Sequence, residues 1–470
     1  MNKYTTTIGL EIHAELNTNS KMFCGCVNNP DEEKPNVNIC PVCTAHPGTL
    51  PVINKKAVES VIKVGLALNA NIADFTEFDR KNYFYPDIPK AYQISQYKYP
   101  IVSGGELNGV KITRVHLEED TANNKHDRGD YSLVDFNRAG VPLMELVTEP
   151  VIHSAKEAGD FGRELQLLLR TLGVSEANMD KGQMRVELNI SISEDPNTLG
   201  TKCEVKNINS FRSVERAAEY EIKRMAELLD AGRGSEIVQE TRGWDENKQS
   251  TFSQRSKENA NDYRYFPDPD LPKLYLNKAF DIEKLKKELP ELPAAKRARY
   301  KNDYGIKDED VEVYLVDSNL GTWFESVAKI LNDKEKIKTA SNYITSDYLG
   351  IKKSNDEARL PQPENFSELI NMVTGGNISS RVAKDILAMI VISDESPMKI
   401  ATEKDLIQKN DEGALKEIVQ KVIDSNPEVV ATYKGGKENA LMSLVGQIMK
   451  ETKGSANPAI VQKLLKELIR

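Results

Sequence analysis

A chain of 470 residues is too long for one ordinary core, so two to four domains are expected. Its 39% hydrophobic content, with no secretory signal pattern and no apolar run near the roughly 18–20 residues of a membrane span, predicts a globular cytoplasmic protein. A formal charge of −9 excludes a uniformly basic coat but leaves room for nucleic acid, because binding follows the local patch.

The first predicted element is a strand. IGLEIHAE (8–15) alternates Ile8, Leu10 and Ile12 with Gly9, Glu11 and His13, the period-2 pattern of a half-buried strand. Glu11 and His13 then project side by side. A hard oxygen ligand beside a nitrogen ligand suits a divalent cation that finds more ligands elsewhere. The plainer alternative is an edge strand with a solvated polar face. Next come Cys24 and Cys26, then Cys40 and Cys43, in the turn-rich segments CGC and CPVC. In a chain without a signal such clustering predicts metal before disulfides. Four protein thiolates make a closed, structural zinc site.

A helix is expected over 55–68, after PVIN. FDRKNYFYPDIPKAYQISQ (78–96) then packs Arg80, Lys81, Asn82, Tyr83, Tyr85, Lys90 and Gln93 around two prolines. Aromatics interleaved with cations can stack on a base and neutralise phosphate, or can simply pack. RVHLEED (114–120) places Glu118, Glu119 and Asp120 side by side, which is costly unless a cation or water screens them. With Glu145 and Glu149 of VPLMELVTEP, these strands predict a shared cation. RVELNISI and EVKNINSF carry Arg185, Glu187, Asn189, Glu204 and Lys206 at strand spacing, with Cys203 as a small core residue. Strands are expected over 111–118, 131–136, 143–148, 184–192 and 201–207, and helices over 155–172 and 214–229. A second aromatic–charged loop (255–272) holds Asp262, Tyr263, Arg264, Tyr265, Asp268 and Asp270. Strands mixed with long helices, without regular βαβ alternation, predict an α+β fold.

At LPELPAAKRARY (289–300) two prolines mark a boundary, and the pattern is helical from there to Arg470. A second break falls near 395–405. The expected domains are a cradle (1–290), a helical domain (291–403) and a small helical tail (404–470). The last forty residues carry seven Lys/Arg against three Glu, a basic patch in an acidic protein. No phosphate-binding glycine loop, dinucleotide fingerprint or serine-hydrolase elbow is present. GGNISS (375–380) has a passing likeness to the serine-rich loop of amidases and predicts a helix N-cap turn.

The motifs IGLEIHAEL, CPVCTAHPGTLPVINKKAVE, FDRKNYFYPDIPKAYQISQ, RVHLEEDTA, SLVDFNRAGVPLMELVTEP, EVKNINSF, QETRGWDE and DYRYFPDPDLP occur in order. Together they resemble the B subunits of the tRNA-dependent aspartyl/glutamyl amidotransferases, and 433–465 looks like that family's YqeY-like tail. The resemblance implies a heterotrimer with an amidase-type glutaminase A subunit and a small C subunit. The B subunit would use ATP and Mg²⁺ to phosphorylate the side-chain carboxylate of misacylated Glu-tRNA(Gln) or Asp-tRNA(Asn). Ammonia, arriving through an intersubunit tunnel, would then displace the phosphate.

On this reading Glu11, His13, Glu118, Glu119, Glu149 and Lys206 are catalytic, and the first five also ligate magnesium. Arg80, Lys81, Asn82, Tyr83, Tyr85, Lys90, Gln93, Glu187 and Glu204 bind ATP, and the four cysteines bind zinc. Three features depart from the family's usual pattern: Glu187 stands where many members have aspartate, the four-cysteine knuckle occurs in only part of the family, and NYITSDYLG (342–350) follows its helical-domain motif loosely. Two rival classes remain, a non-catalytic zinc-containing RNA-binding protein and a free-standing ATP-dependent carboxylate–amine ligase.

Overall fold

The alternation at Ile8–Glu15 becomes β1, Thr5–Glu15, which lies inside the largest sheet. The computed structural model describes residues 3–125, 129–256, 263–408, 412–452 and 456–469, so Asp262 falls outside the described residues. The chain divides into two compact units, Met1–Pro293 and Ala294–Arg470.

After β1 the first unit runs through β2 (Asp79–Asn82) and β3 (Tyr92–Ser95), which pair as a ribbon apart from the large sheet. It continues with β4 (Val110–Glu119), β5 (Pro142–Thr148), β6 (Met184–Ser193), β7 (Cys203–Lys206), β8 (Glu240–Asp245) and β9 (Ser250–Ser256). The large sheet has ten strands: nine in the order β9-β8-β7-β6-β1-β5-β4 and then the short strands Val102–Ser103 and Asn71–Ile72, and a tenth, Glu106–Leu107, that pairs with β4 off this path. It is mixed: β7 and β8 are parallel, while β1 is antiparallel to both neighbours.

One face packs on the apolar core. Ile8, Leu10 and Ile12 of β1, Val186, Leu188 and Ile190 of β6, and Met144 and Leu146 of β5 are buried in one apolar cluster. The same cluster takes in the inner sides of α1 (Lys55–Ala67), α2 (Ala155–Thr171) and α3 (Phe211–Asp230). Asn54, Ser154 and Ser210 cap these helices, Ser154 in a capping box with Glu157, so each starts where its first backbone donors find acceptors. Trimming Leu10 to Ala would cost about 2–5 kcal/mol through lost burial and the cavity left behind.

The strand expected over 131–136 is shorter, Leu133–Asp135 pairing with Asn123–Lys125. Tyr131 and Leu133 are exposed, so no core holds a longer strand there. Cys203 is buried, as its place on a core strand requires.

The second unit is built from helices, with π-helical turns at Tyr300–Tyr304 and Tyr343–Tyr348 that bury Tyr300, Tyr343 and Tyr348. NYITSDYLG spans the second of these turns. Ser379 caps Ser380–Ser393 by accepting from the Val382 N–H, so GGNISS is a helix start. The last four helices, from Glu412–Ser425 to Pro458–Leu468, share an apolar cluster containing Val419, Leu444, Ile448, Val461 and Leu465. The molecule is α+β. No helix among the described residues is long and apolar enough to cross a membrane.

Candidate functional site

Residues directly opposed in a sheet share a face, and the register assembles a site from four strands. His13 lies opposite Glu145 on one side and Arg185 on the other; Glu145 lies opposite His116; Glu11 lies opposite Glu187. All of these side chains leave the sheet on the side away from the apolar cluster. His13 Nε2 is 3.3 Å from a Glu145 oxygen and 3.5 Å from one of Glu118. His116 Nε2 lies 3.4 Å from Glu145, and Arg114 3.6 Å. The ligand atoms of Glu11, His13 and Glu145 all lie within 4.8 Å of one another, as do those of His116, Glu118 and Glu145. Trans ligands on a magnesium ion sit about 4.2 Å apart, so a hard cation fits the spacing.

The electrostatics follow from burial and crowding. Burial and the charges of Glu145 and Glu187 push the Glu11 carboxyl up to about 7. Burial opposes charge on His13, yet Glu118 and Glu145 outweigh it and hold its proton far above the usual imidazole range. Burial likewise opposes ionisation of Glu145, but His116 and His13 hold that carboxyl well below its usual range. His116 itself is lowered by burial.

Glu119 and Glu149 are not brought into this cluster. Successive strand residues alternate faces, so Glu119 points opposite to Glu118, where it pairs with Lys90 at 2.6 Å and accepts from the Ile94 N–H. Glu149 lies past the end of β5 and accepts from Thr113 Oγ1 at 2.7 Å.

The residues expected to bind ATP also divide. Lys81 is half-buried close to Glu118 and Glu145, 4.9 Å from the Tyr263 ring centroid; burial disfavours its charge, but Glu118 and its other neighbours raise its pKa. Tyr83 donates to Gln93, and Ser95 donates to Glu118, tying the β2–β3 ribbon to the cluster. Arg80 instead forms ion pairs with Asp268 and Asp270 while stacking over Tyr92. The Asn82 amide binds the carbonyls of Tyr263 and Arg264, Lys90 serves Glu119, and Tyr85 is exposed. Beside the cluster, Lys206 holds Glu187 at 2.7 Å and Glu204 at 3.3 Å. Glu11, Glu187 and Glu204 themselves form a further three-oxygen group.

The four cysteines converge. Cys43 Sγ is 4.0 Å from Cys26 Sγ and 3.9 Å from Cys40 Sγ, and all four sulfurs lie within 4.8 Å of one another. Tetrahedral zinc with bonds of about 2.3 Å places sulfurs roughly 3.8 Å apart. The donor set and its spacing fit that ion.

Comparison with known proteins settles the family. Residues 6–281 match the model of the GatB/GatE catalytic domain, and residues 322–469 match that of the GatB domain. The chain belongs to the GatB family. It is 44% identical over 485 residues to the B subunit of the aspartyl/glutamyl-tRNA(Asn/Gln) amidotransferase of Brevibacillus brevis, covering 100% of this chain and 99% of that protein. The protein of the same name from Persephonella marina is 44% identical over 483 residues, with 100% of each covered. That from Caldanaerobacter subterraneus is 46% identical over 478 residues, with 99% of each covered.

Sequence reasoning placed Glu145 near the cation but left it out of the ligand set, choosing Glu149 of the same GatB segment. Both share strand parity, and only the antiparallel register shows which of them faces His13. Lys21, beside the cysteines, carried no signal in the sequence.

Proposed function

We propose that this chain is the kinase and transamidase subunit of a tRNA-dependent amidotransferase, a carbon–nitrogen ligase. It would convert Glu-tRNA(Gln), Asp-tRNA(Asn) or both to the amidated forms with ATP and ammonia. The observation that carries the reading is the Glu11–His13–Glu118–Glu145 cluster, on the sheet face opposite the apolar core, in a chain that matches named B subunits end to end.

Phosphorylating a carboxylate forces a triphosphate and a second anion together. Magnesium, when bound, would screen both anions. Glu11, His13, Glu118 and Glu145 are its proposed ligands. Lys81 would neutralise phosphate from the ribbon side, with Tyr83 and Gln93 beside it. Lys206 would neutralise the substrate carboxylate, its ammonium held by Glu187 and Glu204. The cysteines would hold one structural zinc.

Amide hydrolysis belongs to a partner on this reading. Among the described residues, four of the cysteines form the knuckle, Cys203 is buried, and Ser379 caps a helix. The chain alone should therefore release no ammonia from glutamine, yet form amidated tRNA from ammonium salts, ATP and misacylated tRNA. Glutaminase activity in the isolated, clean protein would overturn that division of labour. Partner A and C subunits and a tunnel between the sites complete the proposal, and work on aminoacyl-tRNA would place it in the cytoplasm. Assaying ATP hydrolysis with each misacylated tRNA tests the whole: activity that ignores the tRNA would favour a free-standing ligase, and none at all a binding protein.

The proposed domains are the cradle (1–290), the helical domain (291–403) and the tail (404–470). The basic tail, with an apolar cluster of its own, is assigned to the tRNA backbone. Deleting residues beyond 404 should weaken tRNA binding. It should also flatten the salt dependence, by about 0.9 in log–log slope for each duplex phosphate that the tail no longer neutralises. Unchanged affinity and slope would remove the tail from tRNA recognition.

A further inference from the structure

Lys21 is completely buried. Its ammonium donates to the carbonyl of Phe136 at 3.1 Å and points at Cys43 Sγ at 3.9 Å. Its stem packs by Gly140, where an added Cβ would stand 3.6 Å from Lys21 Cδ and 3.7 Å from Cys43 Cβ; the positive φ of +84° there also favours glycine. Glu119 lies nearby but pairs with Lys90. No carboxylate forms an ion pair with Lys21 among the described residues.

A buried ammonium without a counter-charge costs several kcal/mol, so such groups persist only where something anionic compensates them. Four neutral thiols would not. A divalent ion bound by four thiolates carries a net charge of minus two, inside the same turn-rich segment and against the same lysine.

We propose that Lys21 is the built-in counter-charge of a tetrathiolate metal centre at Cys24, Cys26, Cys40 and Cys43, holding the metal by charge rather than by ligation. The inference rests on the zinc reading above and adds a residue to it. The segment supports the arrangement mechanically. The Lys21 N–H donates to the Cys26 carbonyl and the Asn54 amide donates to the Lys21 carbonyl, so the lysine is fixed to the knuckle that carries the first two sulfurs and to the start of α1. Its Phe136 contact ties both to the segment preceding β5.

The test uses the full chain, purified anaerobically, as wild type, Lys21→Met and Lys21→Gln. Gln keeps an N–H donor and most of the length but no charge. Met keeps the stem alone. Both variants should pass zinc to a competing chelator about ten- to a hundredfold faster than wild type, the usual effect of losing a group that supports metal ligands. With cobalt in place of zinc, the sulfur-to-metal charge-transfer band should move to longer wavelength in both, because a nearby positive charge lowers the sulfur donor orbitals. A Gln variant with the wild-type release rate and band would overturn the proposal and reduce Lys21 to a hydrogen-bond donor or packing element. If Lys21→Met fails to fold, the Gln variant decides alone. Wild-type protein without any metal would instead refute the zinc reading, and this inference with it.

Discussion

Replacing Glu145 with Gln is expected to slow single-turnover phosphorylation and transamidation roughly a hundredfold, equivalent to about 3 kcal/mol of transition-state stabilisation. Glu145 touches His13, His116 and Arg114 and belongs to both three-ligand groups around His13 and Glu118. Gln keeps the size but removes the charge from the point where two anions must meet. Raising magnesium should recover part of the rate if the charge serves the cation. Affinity for tRNA should change little, because the assigned grip is elsewhere, and glutamine hydrolysis by the assembled complex should continue. Glu149→Gln is the matched control. The substituted side chain could still accept the bond from Thr113, and no charge leaves the cluster, so the rate should stay within about twofold. Equal rates for Glu145→Gln and wild type at limiting magnesium would remove the cluster from the reaction.

What the sequence made legible was what depends on local periodicity. The strand at Ile8–Glu15, the helices near 55–68, 155–172 and 214–229, and the convergence of four cysteines all follow from spacing within a few residues. The α+β class followed from the same signals. What escaped was set by long-range register. Glu119 is the exception: the local alternation of RVHLEED already sets it against Glu118, and grouping the two as joint ligands went against that pattern. Choosing between Glu145 and Glu149 requires knowing that β1 pairs His13 with Glu145, which is fixed by side chains on three strands at once. Arg80 suited a phosphate until Asp268 and Asp270 arrived from nearly 190 residues away to claim it. Lys21 escaped for a different reason: one lysine in SKMF has no pattern, and only its complete burial marks it.

Stripping the metal from the knuckle, or introducing Cys43→Ser, should unfold the segment from about Ser20 to Val52 while the large sheet stays folded. Between the end of β1 and the start of α1 the chain makes no helix and no strand longer than the isolated bridge between Ser20 and Val27. Its buried apolar residues are few, Met22, Phe23 and Cys43 among them. Backbone bonds from Met22 to Gly140 and from Val52 to Phe23 fasten its ends, and Asn36 and Asn137 tie residues 34–38 to the segment before β5, but the turns that carry the cysteines hold mainly local bonds. The metal is therefore assigned most of the local stability. Zinc contributes about 10–16 kcal/mol in isolated finger peptides that fold only with it. Here the flanking contacts survive, so a smaller loss of about 4 kcal/mol is expected, roughly a thousandfold in amide exchange across the segment. Strands β1, β5 and β6 should keep their protection, since the segment gives only Met22 and Phe23 to the large core they share with α1, α2 and α3. The measurement is hydrogen exchange on the full chain with and without a chelator under reducing, anaerobic conditions. Uniform loss of protection through the first unit would make the metal a global staple. No change in the segment would mean that the four sulfurs stay ordered without an ion.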